Sequence, residues 1–149
     1  MVFKFNIGTK TGNTFKLESE SPEIIGKAIK EKINGTDISS DLGGYEFEIT
    51  GASDKAGFTS NENLEGIALK KVLLNYGKGM HKRPKKEGKK KRSNFTPRGL
   101  RMRKTMRGKI ISPEISQINL KILKQGQKKL EEIFKEQIKT GPVEEKPAE

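Results

Sequence analysis

Between Lys78 and Lys109 the chain carries fifteen Lys or Arg against a single acid, Glu87, a net charge of +14 within thirty-two residues. Like charges at that density repel one another, and the stretch has too few apolar side chains to offset the entropy lost on ordering. It cannot supply a core of its own, so something anionic has to complete whatever it becomes. The remaining sixteen bases and eighteen acids sum to −2, which leaves the folding part of the chain nearly neutral. With 149 residues, 31% of them hydrophobic and 34% charged, one small core with appendages is expected. A large buried cleft is not.

The flanks of the basic stretch read as strands. Phe3, Phe5 and Ile7 alternate with polar residues, and Phe15 and Leu17 resume the alternation after the Gly-, Asn- and Thr-rich loop 8–13, which predicts a β-hairpin. Ser21-Pro22-Glu23 has the form of a helix start, capped by Ser21 and followed by Ile24, Ile25, Ala28, Ile29 and Ile33, before the Asn34-Gly35 stop. Two or three short turns are expected there. Tyr45, Phe47 and Ile49 alternate with Glu46, Glu48 and Thr50 as a half-buried strand, and a further strand is expected over 67–76. Beyond Lys109, Ile110-Ile111 and then Ile118, Leu120 and Ile122 read as closing strands. Leu130, Ile133, Phe134 and Ile138 fall on one helical stripe that should dock on the sheet, and from Gly141 the chain runs as an acidic tail. The fold class expected is mainly β: a small six-stranded barrel-like domain with a basic extended insertion and a C-terminal α-helix. Its parts are a domain over 1–126 containing the basic segment 77–109, a helix over 127–140 and a disordered acidic tail over 141–149.

Several chemistries are excluded or left without support. Absence of Cys removes disulfides, thiolate metal sites and cysteine nucleophiles. His81 is the sole histidine, without a readable carboxylate or nucleophile partner, and is a poor zinc site alone. Asp54-Lys55 lies between Gly51 and Gly57 in a turn-rich loop and is read as structure rather than as an acid/base pair. Gly77-Lys78-Gly79 lacks the spacing and hydroxyl of a phosphate-binding loop. No stretch approaches the roughly 18 apolar residues of a membrane span, and the alternation begun at Met1-Val2-Phe3-Lys4-Phe5 is not a secretory signal. A cytoplasmic protein is expected. Polybasic attraction to anionic lipid would need a second, apolar anchor, which is not seen.

Polyphosphate fits the basic segment best, because each neutralised phosphate releases a counterion and Arg can grip phosphate oxygens through paired hydrogen bonds. Gly88, Gly99 and Gly108 with Pro84 and Pro97 would let the backbone follow an RNA surface, and Phe95 offers a ring to a splayed base. The cations expected to face RNA are Lys78, Lys82, Arg83, Lys85, Lys86, Lys89, Lys90, Lys91, Arg92, Arg98, Arg101, Arg103, Lys104, Arg107 and Lys109, with His81 as a further donor. The same charge would serve a nonspecific nucleic-acid-binding module, such as a DNA-compacting protein or an RNA chaperone, and that alternative stays open. Catalysis on RNA has no carboxylate cluster or His pair behind it.

Two stretches carry a resemblance: residues 44–58, Gly-Tyr-Glu-Phe-Glu-Ile-Thr-Gly-Ala-Ser-Asp-Lys-Ala-Gly-Phe, and residues 103–108, Arg-Lys-Thr-Met-Arg-Gly. Both resemble the sixth small-subunit ribosomal protein of archaea and eukaryotes, the e-type family, and the likeness runs from about Val2 to Gly126. It implies a β-barrel-like body and a basic segment embedded in small-subunit ribosomal RNA, beside neighbouring ribosomal proteins and without enzymatic activity. The family's Asp-Lys-x-Gly-Phe signature falls on Asp54, Lys55, Gly57 and Phe58 as a structural loop motif, and its basic signature on Arg103, Lys104, Arg107 and Gly108. Ala52 stands where the family commonly has Gly, and Thr59-Ser60 where it has Pro-Met. After Gly126 a short helix and an acidic tail are expected, which resembles the archaeal form rather than the eukaryotic members with their long phosphorylated C-terminal helix. No cofactor, metal, small-molecule substrate, membrane or homo-oligomeric partner is expected.

Overall fold

The computed structural model describes residues 2–80, 98–126 and 128–134. Alternation at the N-terminus becomes β1 (Val2–Gly8) and β2 (Thr14–Glu20), an antiparallel hairpin in which Phe5 faces Leu17 and Ile7 faces Phe15. Strands β3 (Lys32–Asn34), β4 (Glu46–Asp54) and β7 (Ile115–Lys124) complete a mixed five-stranded sheet in the order β2-β1-β7-β4-β3. The β1–β7 pairing is parallel and the others antiparallel. Three register shifts along β4–β7 mark bulges, the device that bends a strand, and the sheet curls into a half-barrel. Strands β5 (Leu69–Asn75) and β6 (Arg101–Arg107) stand apart as a two-stranded antiparallel ribbon.

The core follows from the period of two. Phe3, Phe5 and Ile7 from β1, Phe15 from β2, Phe47 and Ile49 from β4, and Ile118, Leu120 and Ile122 from β7 are all buried on one face of the sheet. Ile24, Ile29, Ile38 and Leu42, from the connections around β3, join the same cluster. The opposite face is wet and paired: Lys4 meets Glu18 at 3.3 Å, Lys30 meets Glu48 at 3.5 Å and Lys124 meets Glu46 at 3.6 Å.

Four expectations are corrected. The described residues hold seven strands in two sheets, not six in one barrel. The helix read from Ser21-Pro22-Glu23 is a three-residue 3-10 turn, Pro22–Ile24, with no side-chain cap from Ser21, whose hydroxyl donates instead to the Ile38 carbonyl. Gly26 at φ 92° ends it, and the next backbone groups pair with a distant segment: Gly26 N–H with the Ile111 carbonyl at 2.9 Å and Ile29 N–H with the Lys109 carbonyl at 3.0 Å. Inter-segment hydrogen bonds thus replace the i to i+4 ladder, and they also occupy Ile110-Ile111, which forms a single bridge to Ala28 rather than a strand. Finally, where the structure describes the basic segment it is no single extended insertion, because Gly77–Met80 is a tight turn and residues 101–107 are β6.

At the C-terminus α1 (Leu130–Ile133) is one turn, docked as its apolar stripe predicts. Leu130 and Phe134 are buried, Phe134 stacks on Phe15 at 5.4 Å, and the Tyr45 hydroxyl donates to the Lys128 carbonyl. Burial raises the Tyr45 pKa above its ordinary value, against the lowering effect of a backbone hydrogen bond. Ile138 and the acidic tail lie outside the described residues.

Candidate nucleic-acid interface

The β5–β6 ribbon brings six bases and no acid into fourteen strand residues: Lys70 and Lys71 on β5, Arg101, Arg103, Lys104 and Arg107 on β6. Directly opposed residues of an antiparallel pair share a face. One face therefore carries Leu69, Lys71, Leu73 and Asn75 opposite Arg107, Thr105, Arg103 and Arg101; the other carries Lys70, Val72 and Leu74 opposite Met106, Lys104 and Met102. The second face is the more enclosed. Met106 and Met80 are buried, and a Cβ added to Gly79 would lie 2.6 Å from Met106 Cε. The first face is open, with Leu69 43% and Leu73 51% exposed between exposed Lys71, Arg101 and Arg103.

Among the described residues none of Lys71, Arg101, Arg103 and Lys104 lies within ion-pair distance of a carboxylate. Their heads are available to an external anion. Arg98, beside the turn at Gly99, is exposed as well. Lys78 is exposed and donates to the Thr50 carbonyl at 3.1 Å, reaching back over β4. Lys109 is tied to Glu65 at 2.6 Å, and that bond, followed by the Lys109 charge, holds the Glu65 carboxyl below its ordinary value.

Arg107 differs in kind from the other cations of β6. Its side chain is only 9% exposed and that of Asp54 only 3%. Nε and Nη2 both lie 3.0 Å from Asp54 Oδ2, Nη1 donates to the Ile67 carbonyl at 3.1 Å, and Nη1 also pairs with Glu114. The other oxygen of Asp54, Oδ1, accepts the Phe58 N–H at 3.0 Å. Around it the loop motif closes: Gly57 N–H donates to the Asp54 carbonyl, Asp54 N–H to the Phe58 carbonyl, and Gly57 sits at φ 85°. Lys55 of the same motif points to solvent, with its backbone N–H on the Glu114 carbonyl.

The backbone repeats the link, since Arg107 N–H donates to the Thr59 carbonyl and Asn61 N–H to the Arg107 carbonyl, both at 3.0 Å. Gly108 completes it because a Cβ there would lie 1.8 Å from the Gly66 carbonyl oxygen, a spacing that only hydrogen permits. The two motifs singled out in sequence therefore form one node at the root of the ribbon. Sequence reasoning quoted both and did not join them. A buried acid and a buried base separated by 53 positions leave no periodic signal, and Glu114, beyond the basic segment, was not singled out at all.

Of the cations expected to face RNA, the structure gathers Lys78, Arg98, Arg101, Arg103 and Lys104 on or beside the ribbon, and turns Arg107 and Lys109 toward carboxylates of the protein. His81, Lys82, Arg83, Lys85, Lys86, Lys89, Lys90, Lys91 and Arg92, with Phe95, lie outside the described residues.

Residues 3–97 and 94–135 match the family described as Ribosomal protein S6e. The chain is similar to the small ribosomal subunit protein eS6 of Methanococcus maripaludis, 37% identical over 127 residues, which cover 85% of this chain and 90% of that protein. The eS6 of Archaeoglobus fulgidus is 39% identical over 132 residues, 85% of this chain and 90% of its own. That of Methanosphaera stadtmanae is 40% identical over 126 residues, 83% and 85% of the two chains.

Proposed function

The chain belongs to the ribosomal protein S6e family, and from that premise we propose that it is a structural constituent of the small ribosomal subunit whose cationic segment binds and stabilises ribosomal RNA in support of translation. The family's role is structural and not enzymatic. The place of action that follows is the subunit in the cytoplasm, among neighbouring ribosomal proteins, with the chain acting as a single copy.

The observation that carries RNA binding is the acid-free ribbon. On the sheet body Lys4, Lys30 and Lys124 are each set against a Glu, whereas Lys71, Arg101, Arg103 and Lys104 have no such partner among the described residues. An exposed two-stranded ribbon with apolar Leu69 and Leu73 between its cations suits RNA, where the cations take phosphate and the apolar side chains cover sugar or base edges. Residues 81–97 add eight of the segment's bases to the same anionic partner.

Affinity for a small-subunit ribosomal RNA transcript, measured by filter binding, is expected to fall on the order of a thousandfold between 50 and 200 mM salt if about six phosphates are engaged. A nearly salt-independent affinity would rule the reading out. Sucrose-gradient sedimentation separates it from a nonspecific nucleic-acid-binding module: the native protein should travel with the small subunit, and travel with DNA or in free pools would favour the other reading.

A further inference from the structure

We infer that Asp54 and Arg107 act as a positioning pair for RNA binding, so that one acidic side chain raises the protein's affinity for a polyanion. The inference rests on the ribbon being an RNA-binding surface, and it concerns how the ribbon is held.

A guanidinium has five N–H donors. Four are engaged here: the Nε–H and one Nη2–H by Asp54 Oδ2, and the two on Nη1 by the Ile67 carbonyl and Glu114. One Nη2–H is left, on a side chain 9% exposed, which is too little for the paired grip that Arg gives phosphate. Arg107 therefore touches RNA poorly while sitting four residues from Arg103 along the same strand. At about 3.3 Å per residue that is a lever of roughly 13 Å.

The three segments meeting at the ribbon's root are all tied to this pair. Asp54 ends β4 and fixes the Phe58 turn through Oδ1; the turn delivers Thr59 to the Arg107 N–H; and Arg107 holds the Ile67 carbonyl, two residues before β5 begins. Beyond this node the ribbon has open Leu69, Leu73, Arg101 and Arg103 on one face, and the buried Met106 and Met80 on the other lie outside the main core cluster, so the node is the polar tie that sets its direction against the body. An ordered ribbon meets RNA without first losing conformational freedom, which is how preorganisation strengthens binding.

Charge alone and positioning predict opposite signs. Asp54→Asn adds one positive unit and, as bulk electrostatics, should tighten RNA binding. As the loss of a positioning group it should weaken binding, by about tenfold if about a tenth of the molecules keep the ribbon in its binding arrangement.

The experiment uses the full chain and a small-subunit ribosomal RNA transcript, with filter binding over a salt series. Asp54→Asn is expected to lose about tenfold in affinity. Arg107→Met should lose affinity with an unchanged salt slope, whereas Arg103→Met should lower the slope by about one. The double variant Asp54→Asn/Arg107→Met should fall no further than the weaker single variant, because both remove one interaction. Asp54→Asn binding as tightly as the parent or tighter, or Arg107→Met lowering the slope by about one, overturns the inference. Should Asp54→Asn fail to fold by circular dichroism, Glu114→Gln replaces it, since that carboxylate is 68% exposed; weaker binding supports the pair and unchanged or tighter binding overturns it. If the parent itself shows no salt-dependent RNA binding, the RNA reading has failed, and that is seen before any variant is compared.

Discussion

The sheet body and the β5–β6 ribbon use the same antiparallel ladder to different ends. In the body, alternation is complete: Phe5 and Phe47 are fully buried while Lys4, Lys30 and Lys124 on the wet side meet carboxylates. In the ribbon one face is partly enclosed around Met106 and Met80, and the other leaves Leu69 and Leu73 open beside cations with no carboxylate partner among the described residues. A strand's stability comes from what its faces are packed against. The body is packed against itself, and the ribbon leaves one face exposed among the described residues. Between them the buried Arg107–Asp54 pair carries the connection.

The largest expected contrast is in the value of an apolar side chain. Phe5→Ala, at a fully buried position in β1, is expected to cost about 3–5 kcal/mol in a urea or thermal melt, from lost transfer energy and the cavity left behind. Leu73→Ala, 51% exposed on the ribbon, should stay within about 0.5 kcal/mol. A cost above about 1 kcal/mol for Leu73→Ala would mean the ribbon is packed within the free protein, and the contrast would collapse.

This division was partly legible in the chain. Phe3, Phe5 and Ile7 against Phe15 and Leu17 fixed the first hairpin, because an aromatic and aliphatic alternation has few other uses. Tyr45, Phe47 and Ile49 marked β4 for the same reason. In β6 the only apolar members are Met102 and Met106, separated by Lys104, so its charges hid a strand whose alternate positions pair with Leu74, Val72 and Lys70. The helix expected after Ser21 lost to backbone pairing with residues 109–111, a tertiary choice that local spacing does not contain. At the candidate site, counting bases singles out the stretch 78–109 but treats Arg107 as equal to Arg101 and Arg103. Only the partner, Asp54 on another strand, separates them.

The contrast sharpens when cations of the open face are removed. Arg101→Gln with Arg103→Gln should lower the salt slope for RNA by about two and the affinity on the order of thirtyfold near 0.15 M salt. The melting temperature should not move, because neither side chain pairs within the described protein. A concurrent loss of stability would assign the two arginines to the fold and leave the open face without a function.

The smallest effect tests the boundary itself. Lys109 and Glu65 form a short pair at 2.6 Å, with Glu65 85% exposed. Lys109 holds the Glu65 carboxyl below its ordinary value, first by the hydrogen bond and then by its charge. A depressed carboxylate supports folding above the unfolded-state value and loses that support as pH falls through the folded one, so at neutral pH the pair is intact. Exposed pairs stabilise little, and Glu65→Gln should leave the melt unchanged. Freeing Lys109 for phosphate should instead raise RNA affinity on the order of threefold, the share of a single screened surface charge. Asp54→Asn and Glu65→Gln each make the protein one unit more positive, yet the first should bind RNA less tightly and the second more tightly. Net charge is the same in the two variants, so opposite signs can arise only from where each acid sits, one inside the root of the ribbon and one on its rim. Shifts in the same direction would show that the root and the open face act as one electrostatic surface.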